Sequence, residues 1–146
     1  MCDRVCGDVD YVPGSTDEAT SAADISVERR GVRRDFAHLG LAPVRAPGVP
    51  ARHVAAHAWR LEPLGFHAVF EAYLEGPPGG VWYVFDPTRK PAADGIVRIG
   101  VGRDAGGTWF CSPFGRVGFE PPRVWMRGPE AGDAPVTVQA VSPSTE

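Results

Sequence analysis

The sequence predicts an α+β fold that contains more sheet than helix. Its 146 residues include 18 valines but only five leucines, and β-branched side chains suit pleated strands better than helix interiors. The 18 glycines and 15 prolines predict many turns, yet this share stays below that of low-complexity chains. A chain of this length can bury one hydrophobic core, so we expect one domain.

Helices are predicted in the N-terminal third of the chain. Val5, Val9 and Val12 are spaced by four and three residues, which favours a short amphipathic helix that ends at Pro13-Gly14. The polar stretch that follows, up to Ser26, is interpreted as side-chain caps and turns.

The clearest helix is predicted from Gly31 to about Val44. Val32 and Phe36 would lie on its apolar face. Pro43 and Pro47 each lack a backbone amide hydrogen and crowd the preceding turn. We therefore expect this helix to kink or to end early near the first of them.

Strands are predicted beyond residue 50. Gly65 to Leu74 alternates between two faces, which is typical of a strand. The segment Gly76 to Gly80 must turn, so Val81 to Phe85 is expected to return as the second strand of a hairpin. Ala51 to Ala58 and Ile96 to Val101 are two further predicted strands.

The C-terminal end is rich in Gly, Pro, Ala, Ser and acidic residues from Gly128 onward. Such a composition predicts a flexible tail. We therefore assign residues 1–127 to the core and residues 128–146 to the tail.

Charge and cysteine content narrow the function classes. The net charge is −3 with no long basic run, so we expect no nucleic-acid partner. No signal-peptide pattern and no apolar stretch of membrane-spanning length occurs, and we expect a cytoplasmic protein without a membrane partner. The three cysteines are Cys2, Cys6 and Cys111, and their spacing indicates neither a disulfide framework nor a zinc site.

No cofactor or metal is expected. The stretch from Gly100 to Ala105 fits a dinucleotide-binding pattern formally, but no helix is predicted after it to present amides to a pyrophosphate. His53 and His57 lie on a predicted strand, where four residues span about 13 Å. They cannot bind the same ion. His38, on the predicted helix, is interpreted as a partly buried polar residue.

One pair of residues points to catalysis. In an antiparallel hairpin the numbers of facing residues add to a constant, and the midpoint between 67 and 86 falls inside the turn from Gly76 to Gly80. His67 and Asp86 are therefore predicted to face each other, with Cβ atoms about 5 Å apart. A carboxylate that accepts from an imidazole fixes its tautomer, as in a catalytic triad. There are two alternatives: the pair is purely structural, or the register of the hairpin slips by a bulge and the two side chains make no contact.

Four ordered segments resemble a known family. They are YVPGSTDEATSAADISVERRGVRRDFAHL (Tyr11 to Leu39), GVPARHVAAH, FHAVFEAYL and WYVFDPTR. Together they resemble the catalytic core of bacterial transglutaminase-like proteins over roughly Val5 to Gly115. That resemblance implies a papain-like thiol-enzyme fold, in which N-terminal helices pack on an antiparallel sheet.

The resemblance also implies roles for particular residues. The family motif G-V-C-R-D-F-A-H-L puts its nucleophilic cysteine at position 33, its general base at His67 and its orienting carboxylate at Asp86. Position 33 is arginine here, which has no lone pair for acyl attack. The implied activity is acyl transfer or amide hydrolysis on glutamine or peptide substrates, and we expect it to be lost. Neither Cys6 nor Cys111 is expected to replace the thiol.

Alternatives remain for the whole chain and for Arg33. The chain is either a non-catalytic transglutaminase-like domain, a peptide-binding or interaction module whose partner is a protein or peptide, or a degenerate fragment; its oligomeric state is not predicted. The β domain that usually precedes this core is missing, so we expect an N-terminally truncated copy. Arg33 either lies on a solvated face with Arg29, Arg30 and Arg34, or enters the cleft and pairs with Asp86 or Glu71.

Overall fold

A computed structural model gives the fold for most of the chain. It describes residues 5, 7–17, 19–76, 79–89, 94–109, 111, 114–118, 120 and 122–127. The tail predicted at 128–146 lies outside these described residues, as do Cys2 and Cys6.

The described residues form an α+β structure, as predicted. In chain order the elements are β1 (Asp10–Tyr11), α1 (Ala22–Glu28), β2 (Arg30–Gly31), α2 (Arg33–Arg45), β3 (Ala51–Trp59), β4 (His67–Leu74), β5 (Val81–Phe85), β6 (Asp94–Gly102) and a 3₁₀ helix (Ala105–Thr108). Strands β5, β4, β3 and β6 form an antiparallel sheet in that order, and β1 pairs in parallel with β2. Helix α2 packs on this sheet, with α1 beside it.

The predicted N-terminal helix is wrong beyond residue 8. Val5, Gly7 and Asp8 are helical, but Asp10–Tyr11 form strand β1. The amide of Asp10 donates to the Arg29 carbonyl at 2.8 Å, and the next residues pair with β2. Valine spacing alone could not reveal this, because the strand depends on a partner about twenty residues away along the chain.

Helix α1 was predicted only as caps and turns. Ser21 caps its N-terminus, since the Ser21 hydroxyl accepts from the Asp24 amide and Asp24 accepts from the Ser21 amide. This Ser-x-x-Asp capping box was the sequence signal for a helix. Its one fully buried side chain, Ile25, packs with Val9 and Phe36 in a core cluster.

Helix α2 starts later and ends later than predicted. Asp35 holds its first turn, because the Asp35 carboxylate accepts from the Val32 amide at 2.8 Å and from the Thr16 hydroxyl at 2.5 Å. The helix continues through Pro43 to Arg45 instead of ending early. Pro43 lies in the last turn, where the loss of one backbone hydrogen bond interrupts little of the helix.

Helix α2 approaches strand β4 very closely at Gly40. A Cβ atom built on Gly40 would overlap the ring of Phe70. Phe70 is fully buried and stacks on Phe85, with ring centroids 5.2 Å apart. The missing side chain at Gly40 therefore sets how near α2 lies to the sheet.

A histidine cluster attaches the 3₁₀ helix to α2 and β3. The His38 ring accepts from the Ala105 amide at 3.1 Å, and Nδ1 of His53 lies 2.9 Å from the Thr108 hydroxyl. The His53 side chain is buried, and the two rings meet edge to face at 5.4 Å. Burial, reinforced by the neighbouring His38, lowers the pKa of His53 from 6.5 to about 4. Burial also lowers the pKa of His38.

We predict that Gly40→Ala destabilises the protein. Alanine favours a helix by about 1 kcal/mol over glycine, but here its methyl group must displace the Phe70 ring, and overpacking costs about 1–3 kcal/mol. Thermal unfolding should show a lower midpoint. Gly100→Ala is the control, because no described atom lies within 4 Å of a Cβ built there. A midpoint for Gly40→Ala at or above that of the control would contradict the close approach.

We predict that acid weakens the fold through His53. Its pKa is lower in the folded chain than in the unfolded chain, so the unfolded chain binds the proton first. Stability should be complete above pH 6.5 and fall as the pH drops toward 4, by about 3 kcal/mol. The free energy of unfolding from denaturant titrations across this range measures the loss. In His53→Asn, which can still pair with Thr108, the slope should be shallower; equal slopes would refute the assignment.

Candidate functional site

Strands β4 and β5 bring His67 and Asp86 into direct contact. Nε2 of His67 lies 2.7 Å from Oδ2 of Asp86. The His67 side chain is fully buried, while that of Asp86 is 17% exposed. A short bond of this kind between an imidazole and a carboxylate matches the orienting half of a catalytic triad.

The register that creates this contact differs from the predicted one. Phe70 pairs with Phe85 and Leu74 pairs with Val81, which shifts the hairpin by two residues from the predicted alignment. His67 and Asp86 are therefore diagonal neighbours and not directly opposed. Side chains repeat with a period of two along a strand, so a shift of two leaves both on the same face. The contact survives for that reason.

Thr88 supports Asp86 and was missed as a site residue. Oδ1 of Asp86 accepts from the Thr88 amide at 2.9 Å and from its hydroxyl at 2.7 Å. Asp-x-Thr at the end of a strand is a known pattern for such a local turn, so the sequence held a signal. Burial raises the pKa of Asp86, but the hydrogen bond and charge of His67 and the bonds from Thr88 outweigh it, so the pKa lies below its ordinary value.

The second ring nitrogen of His67 has no partner among the described residues. Nδ1 is buried and makes no hydrogen bond there. Because Asp86 is a carboxylate, Nε2 is the nitrogen that donates, and in the neutral imidazole Nδ1 keeps a lone pair. The site thus presents an oriented imidazole whose accepting nitrogen is not engaged by any residue that the structure describes.

Arg33 starts helix α2 and extends toward the segment before His67. Its Nη1 donates to the Phe66 carbonyl at 2.8 Å, and Nη2 lies 3.5 Å from the Pro63 carbonyl. Its guanidinium carbon also lies 5.9 Å from the centre of the Tyr11 ring. The side chain therefore bridges the helix tip and the loop that leads into β4.

Of the two alternatives for Arg33, the ion pair with Asp86 or Glu71 is wrong, although the side chain does line the cleft. Asp86 is engaged by His67 and Thr88, as described above. Glu71 is buried and is bound by Arg52 at 2.6 Å and Arg98 at 3.1 Å. The backbone carbonyls of Phe66 and Pro63 accept from the Arg33 guanidinium instead.

A cleft of about 280 Å³ lies between the tip of α2 and the start of β4. The side chains that line it are those of Tyr11, Val32, Arg33, Arg34, Phe66, His67 and Ala68. The helix tip and the start of β4 therefore open into one space, where the resemblance puts the nucleophile and the base side by side.

The remaining candidates that the structure describes do not line this cleft. Cys111 is an exposed free cysteine. His53 contacts Thr108, and Nδ1 of His57 lies 3.0 Å from the Gly65 carbonyl. Within the described part of the chain, no group of three or more metal-binding side chains could hold an ion, and no helix is long and apolar enough to cross a membrane.

Three comparisons relate this chain to known proteins. A sequence profile described as the transglutaminase-like superfamily matches residues 1–87. A protein of uncharacterized function from Mycobacterium leprae is 36% identical over 101 residues, which make up 66% of this chain and 36% of that protein. A relative from Mycobacterium tuberculosis, also uncharacterized, is 30% identical over 71% of this chain and 37% of its own length.

A solved structure agrees with the profile. The crystal structure of a protein from Cytophaga hutchinsonii, described as a candidate cysteine protease, superposes with a TM-score of 0.66 at 47% identity. It covers 73% of this chain and 35% of that one, so this chain spans about a third of the length of the proteins it matches. The helices on an antiparallel sheet, the profile match and this neighbour together show that the chain belongs to the transglutaminase-like superfamily.

Proposed function

We propose that this chain is a transglutaminase-like domain that keeps the substrate cleft of the family but does not perform thiol acyl transfer. One observation carries this proposal: the residue at the tip of α2, beside the buried His67, is arginine. Acyl transfer by a thiol enzyme requires a sulfur lone pair that attacks the substrate carbonyl while the imidazole takes the thiol proton. A guanidinium has neither a free lone pair nor a transferable proton near neutral pH.

The loss in rate should be severe. Removal of one member of a triad costs on the order of 10⁴ to 10⁶ in rate, and what remains comes from binding and electrostatic stabilisation. His67 and Asp86 are left as an oriented base without a nucleophile to activate. In our proposal these two residues are what remains of the catalytic machinery.

The same cleft supports a binding role. Its walls combine the apolar Val32, Phe66 and Ala68 with the polar Arg33 and His67, a mixture typical of sites that bind small groups. The family resemblance suggests a glutamine side chain or a peptide as the occupant. The description of the Cytophaga hutchinsonii protein as a candidate cysteine protease favours a peptide.

Arg33→Cys is the variant that tests the proposal. A cysteine at the N-terminus of a helix and beside an imidazole has a lowered thiol pKa, so it should alkylate rapidly. We expect iodoacetamide to label position 33 of this variant, located by mass spectrometry, faster than the exposed Cys111. Arg33→Ser shares the small side chain but not the sulfur, and should show labelling only at the natural cysteines.

The alkylation at position 33 in the Arg33→Cys variant should depend on His67. In the double variant Arg33→Cys, His67→Ala the label at position 33 should appear no faster than at Cys111. A folded Arg33→Cys protein with an inert thiol would show that the cleft geometry is not that of a thiol enzyme. Amidase activity of the unsubstituted protein that iodoacetamide abolishes would overturn the proposed inactivity.

A further inference from the structure

We propose that the cleft recognises a carboxylate group on a peptide, and that Arg33 makes it do so. This inference rests on the proposed function, since it names the chemical class of the occupant of the same cleft.

Two buried polar atoms at the cleft lack partners. Nε of Arg33 and Nδ1 of His67 are both buried and make no hydrogen bond to any described residue. Both side chains line the cleft, and that of His67 is fully buried. Buried polar atoms in proteins are nearly always hydrogen-bonded. Nε of Arg33 is a donor that an acceptor on a ligand would satisfy, whereas Nδ1 of the neutral His67 is itself an acceptor.

The guanidinium of Arg33 is the group in this cleft that would attract an anion. No carboxylate among the described residues forms an ion pair with Arg33, whereas Arg34 pairs with Asp35 at 3.2 Å. Asp86 is engaged by His67 and Thr88. Asp35 and Asp86 thus have partners, while the contacts of the Arg33 guanidinium among the described residues are two neutral carbonyls and the Tyr11 ring.

The helix tip adds to this preference for an anion. The amides of Asp35 and Phe36 already donate to the Val32 carbonyl. The amides of Arg33 and Arg34 belong to the first turn and have no acceptor within the helix. Val32, Arg33 and Arg34 line the cleft, so the positive end of the dipole of α2, a helix of 13 residues, lies at the cleft.

These features fit a ligand that has one carboxylate attached to an apolar side chain or peptide end. One unpaired guanidinium balances one carboxylate, and the apolar walls suit the methylene groups of a side chain or peptide end. Carboxylate oxygens accept from Arg33 and from the helix tip. No bond to carbon is made or broken.

Blocked peptides test the inference by calorimetric and NMR titration. N-acetyl-glutamate amide carries a side-chain carboxylate, N-acetyl-glycylglycine carries a terminal carboxylate, and N-acetyl-glutamine amide is the neutral isostere. We expect at least one of the acids to bind at least about tenfold more tightly than the glutamine compound. Tighter binding of one of the two acids shows whether the cleft recognises a side-chain carboxylate or a terminal carboxylate. Binding should also shift the Nδ1 resonance of His67.

Two variants of Arg33 and one control variant test whether Arg33 causes the preference for the acid. Arg33→Gln removes the charge and should abolish the preference for the acid, whereas Arg33→Lys keeps the charge and should retain part of it. Arg30→Gln is the control, since Arg30 is exposed and pairs with Glu28 away from the cleft. Backbone amide spectra verify that each variant is folded.

The possible failures are distinguishable. Equal binding of the acids and the glutamine compound would overturn carboxylate recognition but leave a peptide-binding cleft in place. Unchanged acid preference in Arg33→Gln would also overturn it. Absence of binding by all three compounds would contradict both this inference and the binding role, while the alkylation of Arg33→Cys independently reports on the lost thiol chemistry.

Discussion

The close packing of helix α2 against strand β4 determines the geometry of the cleft. Gly40 brings the helix axis near the sheet, because any side chain there would overlap the Phe70 ring. With that distance set, the first turn of α2 lies beside the residues that lead into β4. Arg33 reaches the Phe66 carbonyl for this reason, and His67 follows as the next residue.

The hydrogen bonds that orient His67 are independent of the residue at the nucleophile position, 33. His67 and Asp86 keep the contact that orients an imidazole, and Thr88 adds hydrogen bonds that keep Asp86 ionised. None of this depends on the residue at position 33, because these bonds lie within β4, β5 and the turn after β5. A change at the helix tip can therefore remove the nucleophile and leave the rest of the arrangement unchanged.

Much of this arrangement follows from local sequence patterns. Alternation across Gly65 to Leu74 and the turn after it predicted the hairpin, and periodicity of two preserved the His67–Asp86 contact when the register shifted by two residues. The register itself depends on turn geometry, which the Gly-Pro-Pro-Gly-Gly tract does not determine. Strand β1 was not predictable from its own residues, because its hydrogen bonds run to the segment around Arg29 and Gly31. The sequence could not predict the direction of the Arg33 side chain either, because this long side chain has several acceptors within reach.

The arrangement of the His67 ring is the central claim, and NMR detection of its two ring nitrogens in the ligand-free protein tests it most directly. In the neutral imidazole we expect the proton on Nε2, held by Asp86, and a bare Nδ1 facing the cleft. Asp86→Asn, which removes the carboxylate charge, should shift the Nε2 proton signal. A proton found on Nδ1, or an Nε2 signal unaffected by Asp86→Asn, would show that the carboxylate does not orient the ring.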